Sequence, residues 1–265
     1  MEIGIIGLGA VGSAVKRGFE YIGHNVVGYD IKTESTKIQD VLDTEIVYVC
    51  VGTPSNKDGS CNIDSVLEVV DDLNKLNYNG IIAIKSTVTP GTTNNLVVKY
   101  SDKKIAFVPE FLRERCAYED FINNHNVLVV GTENNDVYSK IVESHGTLPK
   151  NVSKLTIIEA ELVKYFSNTY KATKITFANS FHKLSKELEA DYTKIKNTFL
   201  LHGVTEGEYL NVNDEFGGYA GMCLPKDMKA IKTLINKLNL DLDIFKFVDS
   251  ENEKFVKKVP KGMRK

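Results

Sequence analysis

A short strand that runs directly into a glycine-rich turn is the feature that most limits how this chain can fold. Glu2-Ile3-Gly4-Ile5-Ile6 has the pattern of a buried strand, and Gly7-Leu8-Gly9-Ala10-Val11-Gly12 follows it and opens a helix. Gly7 permits the tight turn, Gly9 lets the backbone approach a pyrophosphate, and Gly12 lets the helix pack closely on the strand. The helix N-terminus also offers amide donors and a favourable dipole to phosphates. The segment predicts the first unit of a dinucleotide-binding sheet.

An acidic residue stands where the ribose of a dinucleotide is expected. The run Asn25-Val26-Val27-Gly28-Tyr29-Asp30 predicts a second strand that ends at Asp30. A carboxylate at this position binds ribose hydroxyls and repels a 2′-phosphate. We therefore predict NAD, rather than NADP, as the cofactor. The alternative is a similar sheet whose glycine turn binds no nucleotide.

Strand and helix patterns alternate over roughly the first half of the chain. Further apolar segments predict strands at Ile46 to Val51, Ile81 to Ile84, Ile105 to Val108 and Val127 to Val130, and Ile63 to Leu76 has a helical pattern. Such alternation is typical of a parallel sheet with helices on both faces. We predict a Rossmann-like, doubly wound α/β domain over residues 1–156.

The second half has only helical patterns. No proline or glycine occurs from Glu159 to Glu189, and apolar residues recur there at helical spacing, which predicts one long helix. Shorter helices are predicted at Tyr192 to Leu201, Pro225 to Leu238 and Leu242 to Val256. We predict an all-helical domain over residues 157–265. A lone helix of that length needs a partner surface, so the domain is expected to form a homodimer.

Composition narrows the class of protein. The 265 residues carry a net charge of −2, which gives no general attraction to nucleic acid or to anionic membranes, so neither is an expected partner. The apolar runs are too short to span a bilayer, and the N-terminus has no signal-peptide pattern. The four cysteines are dispersed without a Cys-x-x-Cys pair, and no histidines have metal-ligand spacing. We expect a cytoplasmic protein without a bound metal.

Cys223 is the strongest candidate for a reactive group. It lies in Gly221-Met222-Cys223-Leu224-Pro225-Lys226-Asp227, where the proline suits the first turn of a helix. A thiol at a helix N-terminus with Lys226 nearby ionises more easily. Asp227 is placed to orient water or to accept a proton if the first turn brings it alongside. The alternative is a small, inert core cysteine.

Other polar residues have spacing that suits a site. Lys164 and Asn168 share one face of the long helix, and both are donors for a developing oxyanion, although an ordinary solvated pair has the same spacing. Glu110 and Glu114 also have helical spacing, which a charged surface turn would equally explain. Thr87 follows a predicted strand, at the sheet edge where ligands bind in such folds, but a plain turn residue fits too.

Taken together, these motifs resemble the nucleotide-sugar dehydrogenase family, of which UDP-glucose 6-dehydrogenase is a member. The matching segments run in family order over nearly the whole chain: Gly7 to Gly12, Val51-Gly52-Thr53-Pro54 with Asp58-Gly59, Lys85-Ser86-Thr87, Pro109 to Glu114, Glu159 to Asn168, and Cys223 to Asp227. The resemblance implies NAD-dependent, four-electron oxidation of a nucleotide sugar, of the UDP-glucose to UDP-glucuronate type, for polysaccharide precursor biosynthesis. The reaction would pass through a cysteine thiohemiacetal and a thioester.

The resemblance also implies catalytic roles at matching positions. Cys223 matches the nucleophile, and Lys164 and Asn168 match groups that stabilise charge on oxygen. Asp227 matches the acid that helps to order water and the lysine. Residues around the hydrolytic water match two further positions, Thr87 and Glu114.

Binding roles follow from the same resemblance. Cofactor contacts are implied for Gly7, Gly9, Ala10, Val11, Gly12, Asp30, Thr53, Thr87 and Lys226. Substrate contacts are implied for Glu110, Phe111, Leu112, Arg113, Lys164, Asn168, Phe216, Gly217, Gly218, Tyr219 and Gly221.

The chain departs from the family pattern in several places. Family members carry a third, C-terminal α/β domain for much of the nucleotide, and we expect this chain to be a short form whose UDP-binding domain a separate chain would supply. A family arginine upstream of the cysteine loop has no counterpart in Val204 to Tyr209, and Glu215 and Ala220 replace a usual proline and glycine.

Two other functions stay open. A two-electron β-hydroxyacid-type dehydrogenase shares the Rossmann domain and a Lys-x-x-x-Asn pair but does not need Cys223. It would form one NADH per product rather than two. A truncated protein that binds NAD without catalysis is the other alternative.

Overall fold

The structure, a computed structural model, describes residues 1–203, 205–212 and 217–255. The chain divides into two compact units. Unit 1 comprises Met1–Asn56 and Cys61–Lys164, and unit 2 comprises Lys57–Ser60 and Tyr165–Lys265. The boundary falls inside the longest helix, which begins at Ile157.

A seven-stranded sheet forms the centre of unit 1. Its strands are β1 Glu2–Ile6, β2 Asn25–Tyr29, β3 Ile46–Val49, β4 Ile81–Ile84, β5 Lys104–Phe107, β6 Leu128–Gly131 and β7 Val152–Leu155. The strand order is β2-β1-β3-β4-β5-β6-β7. Neighbouring strands are parallel except β5 and β6, which are antiparallel. The predicted parallel sheet is thus confirmed over its first five strands, and the last two run the opposite way.

Helices cover both faces of this sheet, as predicted. They are α1 Ala10–Tyr21, α2 Asp64–Lys75, α3 Thr92–Lys99, α4 Ala117–Ile122 and α5 Asn135–His145. Alternate residues of each strand point to opposite faces, so Val47 and Val49 join the core beneath α2, whereas Ile46 and Tyr48 join the core with Phe19 of α1. Since β1 leads to β2 on one side and β3 lies on its other side, the β1–β3 boundary is the switch point where such folds bind ligands.

Unit 2 contains helices only, within its described residues. They are the greater part of α6 Ile157–Glu187, together with α7 Tyr192–Leu200, α8 Cys223–Lys237 and α9 Ile244–Asn252. Their core includes Ala172, Tyr219 and Met228. The helix α8 begins two residues before the predicted Pro225, because a proline is tolerated throughout the first helical turn. In the part of the chain that the structure describes, no helix has both the length and the apolarity needed to cross a membrane.

Two histidines of unit 1, the fully buried His145 and the half-buried His125, lie among aromatic rings. The His145 ring centroid lies 5.1 Å from that of Phe19 and 5.6 Å from that of His125. Among the described residues, nothing forms a hydrogen bond with His125 Nδ1 or His145 Nε2. Burial lowers the pKa of His125 to about 4 and that of His145 well below its usual value, and the charge of Lys85 acts in the same direction. Both rings are therefore neutral in the folded protein near pH 7.

We expect the free energy of unfolding to decrease as the pH falls below about 6.5. The unfolded chain protonates its histidines near that pH, whereas His125 in the folded protein stays neutral down to about pH 4. The stability that the neutral His125 contributes is fully present above about pH 6.5. It is lost as the pH falls from about 6.5 to about 4. Urea unfolding at pH 7.5 and pH 5.0 should show this loss, and His125→Phe should remove roughly 1–2 kcal/mol of it. The same change at exposed His202 should leave the pH dependence unaltered.

Candidate active site

The glycine turn has the geometry of a nucleotide cradle. Gly7 has a φ of +91°, and a Cβ there would lie 2.8 Å from the Cys50 carbonyl oxygen. A Cβ on Gly12 would lie 1.8 Å from the Gly7 oxygen, so α1 packs against the turn more closely than any side chain allows. A Cβ on Gly9, by contrast, would meet nothing within 4 Å. Gly9 precedes α1 without a side-chain cap, so exposed amides face open space, as a bound pyrophosphate requires.

Asp30 lies at the end of β2 and contacts the glycine turn directly. Its Oδ2 accepts a hydrogen bond from the Leu8 amide at 2.7 Å, and its Oδ1 accepts one from the Lys32 amide at 2.9 Å. The carboxylate is half-buried, so part of it still faces solvent. Asp30 thus has two possible functions, which are to fix the turn and to bind ribose hydroxyls.

We expect NAD to bind at least about tenfold more tightly than NADP, a difference of about 1.4 kcal/mol. The physical reason is repulsion between the Asp30 carboxylate and a 2′-phosphate. Isothermal titration calorimetry with both nucleotides measures the ratio. Asp30→Asn, which keeps an acceptor for the Leu8 amide, should narrow it. Equal affinities in the unchanged protein would contradict this assignment.

Thr53 and Thr87 lie in two loops that share one contact, the thiol of Cys61. The Cys61 sulfur lies 3.4 Å from the Thr87 carbonyl oxygen and 3.9 Å from that of Thr53. Ser86 strengthens the connection, because its hydroxyl donates to the Val51 carbonyl oxygen at 2.8 Å. The loops after β3 and β4 are therefore held together. Sequence reasoning assigned no role to Cys61, because nothing in its spacing relates it to Thr87.

Lys164 is buried and engages Glu110. Its ammonium donates to the Glu110 carbonyl oxygen at 2.5 Å and to Glu110 Oε1 at 3.0 Å. Only 5% of Lys164 is exposed. The alternative interpretation of Lys164 and Asn168 as an ordinary solvated pair is therefore wrong, since Asn168 is equally buried. A desolvated ammonium at this place is a strong donor for negative oxygen.

Glu161 connects the start of α6 to the loop after β4. Its carboxylate accepts hydrogen bonds from the amides of Gly91, at 2.5 Å, and Thr93, at 2.8 Å, at the N-terminus of α3. It is fully buried, and burial raises its pKa. Glu161 lies one turn before Lys164, so it orients the helix that presents the lysine. Its place in the matching segment from Glu159 was the only sequence signal for this role.

Lys85 is a second buried cation in the same unit. Its ammonium lies 5.6 Å from the centre of the Tyr48 ring, and burial lowers its pKa. The carboxylate charge of Glu110 opposes this shift, while the charge of Lys164 adds to it. The positive potential around Glu110 thus comes from two lysines, of which sequence reasoning identified only one.

The segment from Glu110 to Glu114 is not a helical turn. Residues 108–113 are irregular, and only Glu114–Cys116 forms a short 3-10 helix. The expectation that Glu110 and Glu114 share a helical face is therefore wrong, because Glu110 Oε2 accepts from the Leu112 amide at 2.7 Å and the chain turns there. Arg113 donates to both Asp120 oxygens, and this pairing lowers the pKa of Asp120 to about 2. The Lys164 ammonium lies over the Phe111 ring, 5.7 Å from its centre.

Cys223 is the first residue of α8 and is exposed. The alternative of an inert core cysteine is therefore wrong. The amides of the first helical turn and the helix dipole both favour a thiolate at this position. None of the four cysteines, all of which the structure describes, forms a disulfide.

A buried network lies one turn further along α8. Asp227 is 1% exposed, and its Oδ2 accepts a hydrogen bond from the side-chain Nδ2 of Asn168 at 2.5 Å. Lys226 donates to Asp227 Oδ1 at 2.6 Å. Lys226 therefore engages a protein carboxylate, and its predicted role as a cofactor contact stays a prediction. The network fixes α8, and with it Cys223, against α6 inside unit 2.

The loop before Cys223 is described from Gly217 onward. Gly218 and Gly221 have φ values of +70° and +80°, which glycine adopts without strain. Phe216 and Glu215 lie outside the described residues. The assigned substrate contacts Gly217, Gly218, Tyr219 and Gly221 belong to this loop in unit 2, whereas Glu110, Phe111, Leu112 and Arg113 belong to unit 1. Their roles in binding stay predictions.

Two family models match this chain. The NAD-binding domain of the UDP-glucose/GDP-mannose dehydrogenase family matches residues 32–148, and the central domain of that family matches residues 158–254. The first match lies in the sheet-containing part and the second covers most of the helical part. Residues 1–31, which contain the glycine turn, lie outside both matches.

Individual proteins show the same similarity. UDP-glucose 6-dehydrogenase of Rickettsia bellii is 30% identical over 96% of this chain and 67% of its own length. For the Rickettsia prowazekii enzyme, the identity is 31% over 88% of this chain and 55% of that protein. The chain thus spans between about half and two thirds of the length of these relatives.

A solved structure agrees with the sequence comparisons. The UDP-glucose dehydrogenase of the archaeon Pyrobaculum islandicum has a TM-score of 0.87 and 28% identity, covering 96% of this chain and 68% of that one. A 3-hydroxyisobutyrate dehydrogenase from Mycobacterium tuberculosis shares the fold, with a TM-score of 0.75 at 13% identity. The geometry of the glycine turn and of Asp30 fits NAD, the cofactor of the UDP-glucose/GDP-mannose dehydrogenase family. The chain belongs to the UDP-glucose/GDP-mannose dehydrogenase family of NAD-dependent dehydrogenases.

Proposed function

We propose that this chain catalyses the NAD-dependent, four-electron oxidation of a nucleotide sugar, with UDP-glucose to UDP-glucuronate as the reference reaction. The observation that carries the proposal is the exposed Cys223 thiol at the N-terminus of α8. A two-electron oxidation needs no such nucleophile, whereas oxidation to an acid through a thioester does. Relatives of this chain are named UDP-glucose 6-dehydrogenase and GDP-mannose 6-dehydrogenase, so the proposal covers both nucleotide sugars as substrates to be tested.

The residues of this chain would act in sequence on the sugar. Lys164 and Asn168 stabilise negative charge on the substrate oxygen as the primary alcohol loses its proton. When NAD is bound, it supplies the hydride acceptor for each oxidation. The Cys223 thiolate then adds to the resulting aldehyde and gives a thiohemiacetal, whose oxygen the same donors stabilise.

The second half of the reaction completes the electron balance. The thiohemiacetal carbon loses a hydride and becomes a thioester, and water then cleaves the carbon–sulfur bond to give a carboxylate and to regenerate the thiol. Glu114 and Thr87 would hold or deprotonate this water, and Asp227 would keep Asn168 in place. One alcohol, one water and two NAD thus yield one acid, two NADH and two protons.

The test is a count of NADH per acid formed. UDP-glucose, GDP-mannose and N-acetylated nucleotide sugars are incubated with excess NAD, with and without a separately produced nucleotide-binding domain of a relative. Two NADH per acid with any of them supports the proposal. One NADH per product would instead favour the two-electron reaction. No NADH under any of these conditions would favour a non-catalytic NAD-binding protein.

The two-electron alternative has one observation in its favour. The fold of this chain matches 92% of the length of the 3-hydroxyisobutyrate dehydrogenase chain, so the two proteins have nearly the same extent of common fold. At 13% identity the similarity shows fold alone. Such an activity would leave the exposed Cys223 without a function, so we place it second.

A homodimer is the assembly that we propose. The helix α6 carries a row of exposed apolar side chains at heptad-like spacing: Leu162, Phe166, Tyr170, Phe177, Phe181 and Leu184. Such a row on one helix pairs naturally with its copy across a two-fold axis. A cytoplasmic location and a separate chain with a UDP-binding domain also remain proposals.

We expect sedimentation velocity to show a dimer at micromolar concentration. Phe177 and Phe181 contact each other with ring centres 4.8 Å apart, and more than 40% of each is exposed. Phe177→Asp would place a charge in the paired surface and should produce monomers, because an unpaired charge is strongly disfavoured there. Leu238→Asp, a matched change at the exposed residue that follows α8, should leave the dimer intact. A monomeric unchanged protein would contradict the assembly.

A further inference from the structure

Tyr219 is held at its backbone and at its hydroxyl by residues of α9. Its amide donates to Asn252 Oδ1 at 2.7 Å, and its carbonyl oxygen accepts from Asn252 Nδ2 at 3.1 Å. Its hydroxyl donates to Asp249 Oδ1 at 2.7 Å, and the other Asp249 oxygen pairs with Lys232 of α8. One asparagine side chain therefore replaces a neighbouring strand for this residue, since it satisfies both backbone groups.

The surroundings of Tyr219 are built for this contact. Tyr219 and Asn252 are 2% and 1% exposed, and the tyrosine packs in the core with Ala172 and Met228. Gly218 has a φ of +70°, and a Cβ there would lie 2.4 Å from Asn252 Oδ1. Only glycine at this position lets the Asn252 amide reach the next residue of the loop.

The anchored tyrosine lies close to Cys223 along the chain. Ala220, Gly221 and Met222 are the only residues between them, and Met222 immediately precedes α8. The helix α8 is itself fixed by the contact of Asp227 with Asn168. A segment this short between two fixed ends has few backbone conformations available, which lowers the entropy that a ligand would have to remove.

We propose that Asn252, supported by Asp249, is a positioning residue that holds the loop 217–222 in the form that receives the sugar beside Cys223. The proposal rests on the proposed function for its substrate. Asn252 is buried and both ends of its side-chain amide are bonded to the Tyr219 backbone, so it would act through Tyr219. Preorganisation of this kind lowers the entropy that substrate binding must remove. Loss of the Asn252 contact should therefore appear mainly as a higher KM.

The experiment compares Asn252→Ala with Asn236→Ala, a matched change at an exposed position of α8. Hydrogen exchange of the peptide spanning 217–222 should become at least tenfold faster in the Asn252 variant alone. The rate of Cys223 alkylation by iodoacetamide should change by at least threefold. With UDP-glucose as the probe, KM should rise at least tenfold while the NAD dissociation constant and the exchange of residues 1–56 stay the same.

The outcomes separate this inference from the proposed function. Unchanged exchange in a folded Asn252→Ala protein would overturn the inference, whatever the activity. Faster exchange with unchanged KM and unchanged alkylation would overturn the positioning role. If the unchanged protein oxidises no nucleotide sugar, the proposed function fails, while exchange and alkylation still decide whether Asn252 fixes the loop.

A second variant covers the case in which Asn252→Ala does not fold. Asn252→Asp keeps the acceptor for the Tyr219 amide but loses the donor to the Tyr219 carbonyl oxygen, so it should show the same changes at smaller size. Gly218→Ala tests the contact from the loop side, since its Cβ would collide with Asn252 Oδ1. Its effect on exchange should be smaller when Asn252 is already alanine, because the collision is then absent. Fully additive effects would contradict the contact.

Discussion

Replacing Cys223 with serine is expected to lower the rate of acid formation at least about a thousandfold, because removal of a catalytic nucleophile has effects of that size or larger. A serine hydroxyl is a poor nucleophile at neutral pH unless an adjacent base activates it. The first oxidation should still proceed, since it needs only the cofactor site and the donors Lys164 and Asn168. We therefore expect one NADH for each aldehyde, or a slowly hydrolysed ester on the introduced serine that mass spectrometry detects.

The matched control is Cys116→Ser. Cys116 is a half-buried thiol of unit 1 that lies 3.6 Å from Asp120, and no step of the reaction uses it. This variant should keep both its turnover and its ratio of two NADH per acid. NAD affinity should be unchanged in both variants, since the glycine turn lies in unit 1. Full turnover of the Cys223 variant with two NADH per acid would refute the covalent mechanism.

The sheet of unit 1 was predictable from the sequence because its strands are short, buried and separated by strong helical patterns. The strand β7 escaped prediction because its sequence, Val-Ser-Lys-Leu at Val152–Leu155, has two polar residues at its centre and so contains no apolar run. None of its residues is fully buried. The reversal of β6 and β7 also has no local signal. Strand direction depends on where the connecting chain returns, which is a property of the whole unit.

The candidate site divides in the same way. Motif residues such as Cys223 and Asp30 were predictable, because their chemistry depends on a helix N-terminus or a strand end that the sequence already indicates. Glu161, Lys85 and Asn252 were not, because their roles depend on contacts between distant segments. Asn252, for example, meets Tyr219 across 33 residues of sequence. Spacing alone also misassigned Glu110 and Glu114, since the helical periodicity assumed for them does not exist there.

Replacing Lys164 with methionine is expected to lower kcat about a hundredfold to a thousandfold, the usual effect of removing one donor from an oxyanion site. Methionine keeps much of the side-chain volume but has no charge and no donor. The change also leaves the Glu110 carboxylate without its cation in a buried place, which should destabilise unit 1 by about 3–5 kcal/mol. Loss of activity alone would therefore not separate catalysis from folding.

A double variant makes that separation. In Lys164→Met with Glu110→Gln, the uncompensated carboxylate is gone, while the glutamine oxygen still accepts from the Leu112 amide. Most of the unfolding free energy should return, as it often does when both members of a buried ion pair are neutralised. The activity should not return, because the donor for negative oxygen is still missing. Lys183→Met, at an exposed position of the same helix, should change neither quantity. If stability and kcat recover together in the double variant, Lys164 holds the fold and has no direct part in the chemistry.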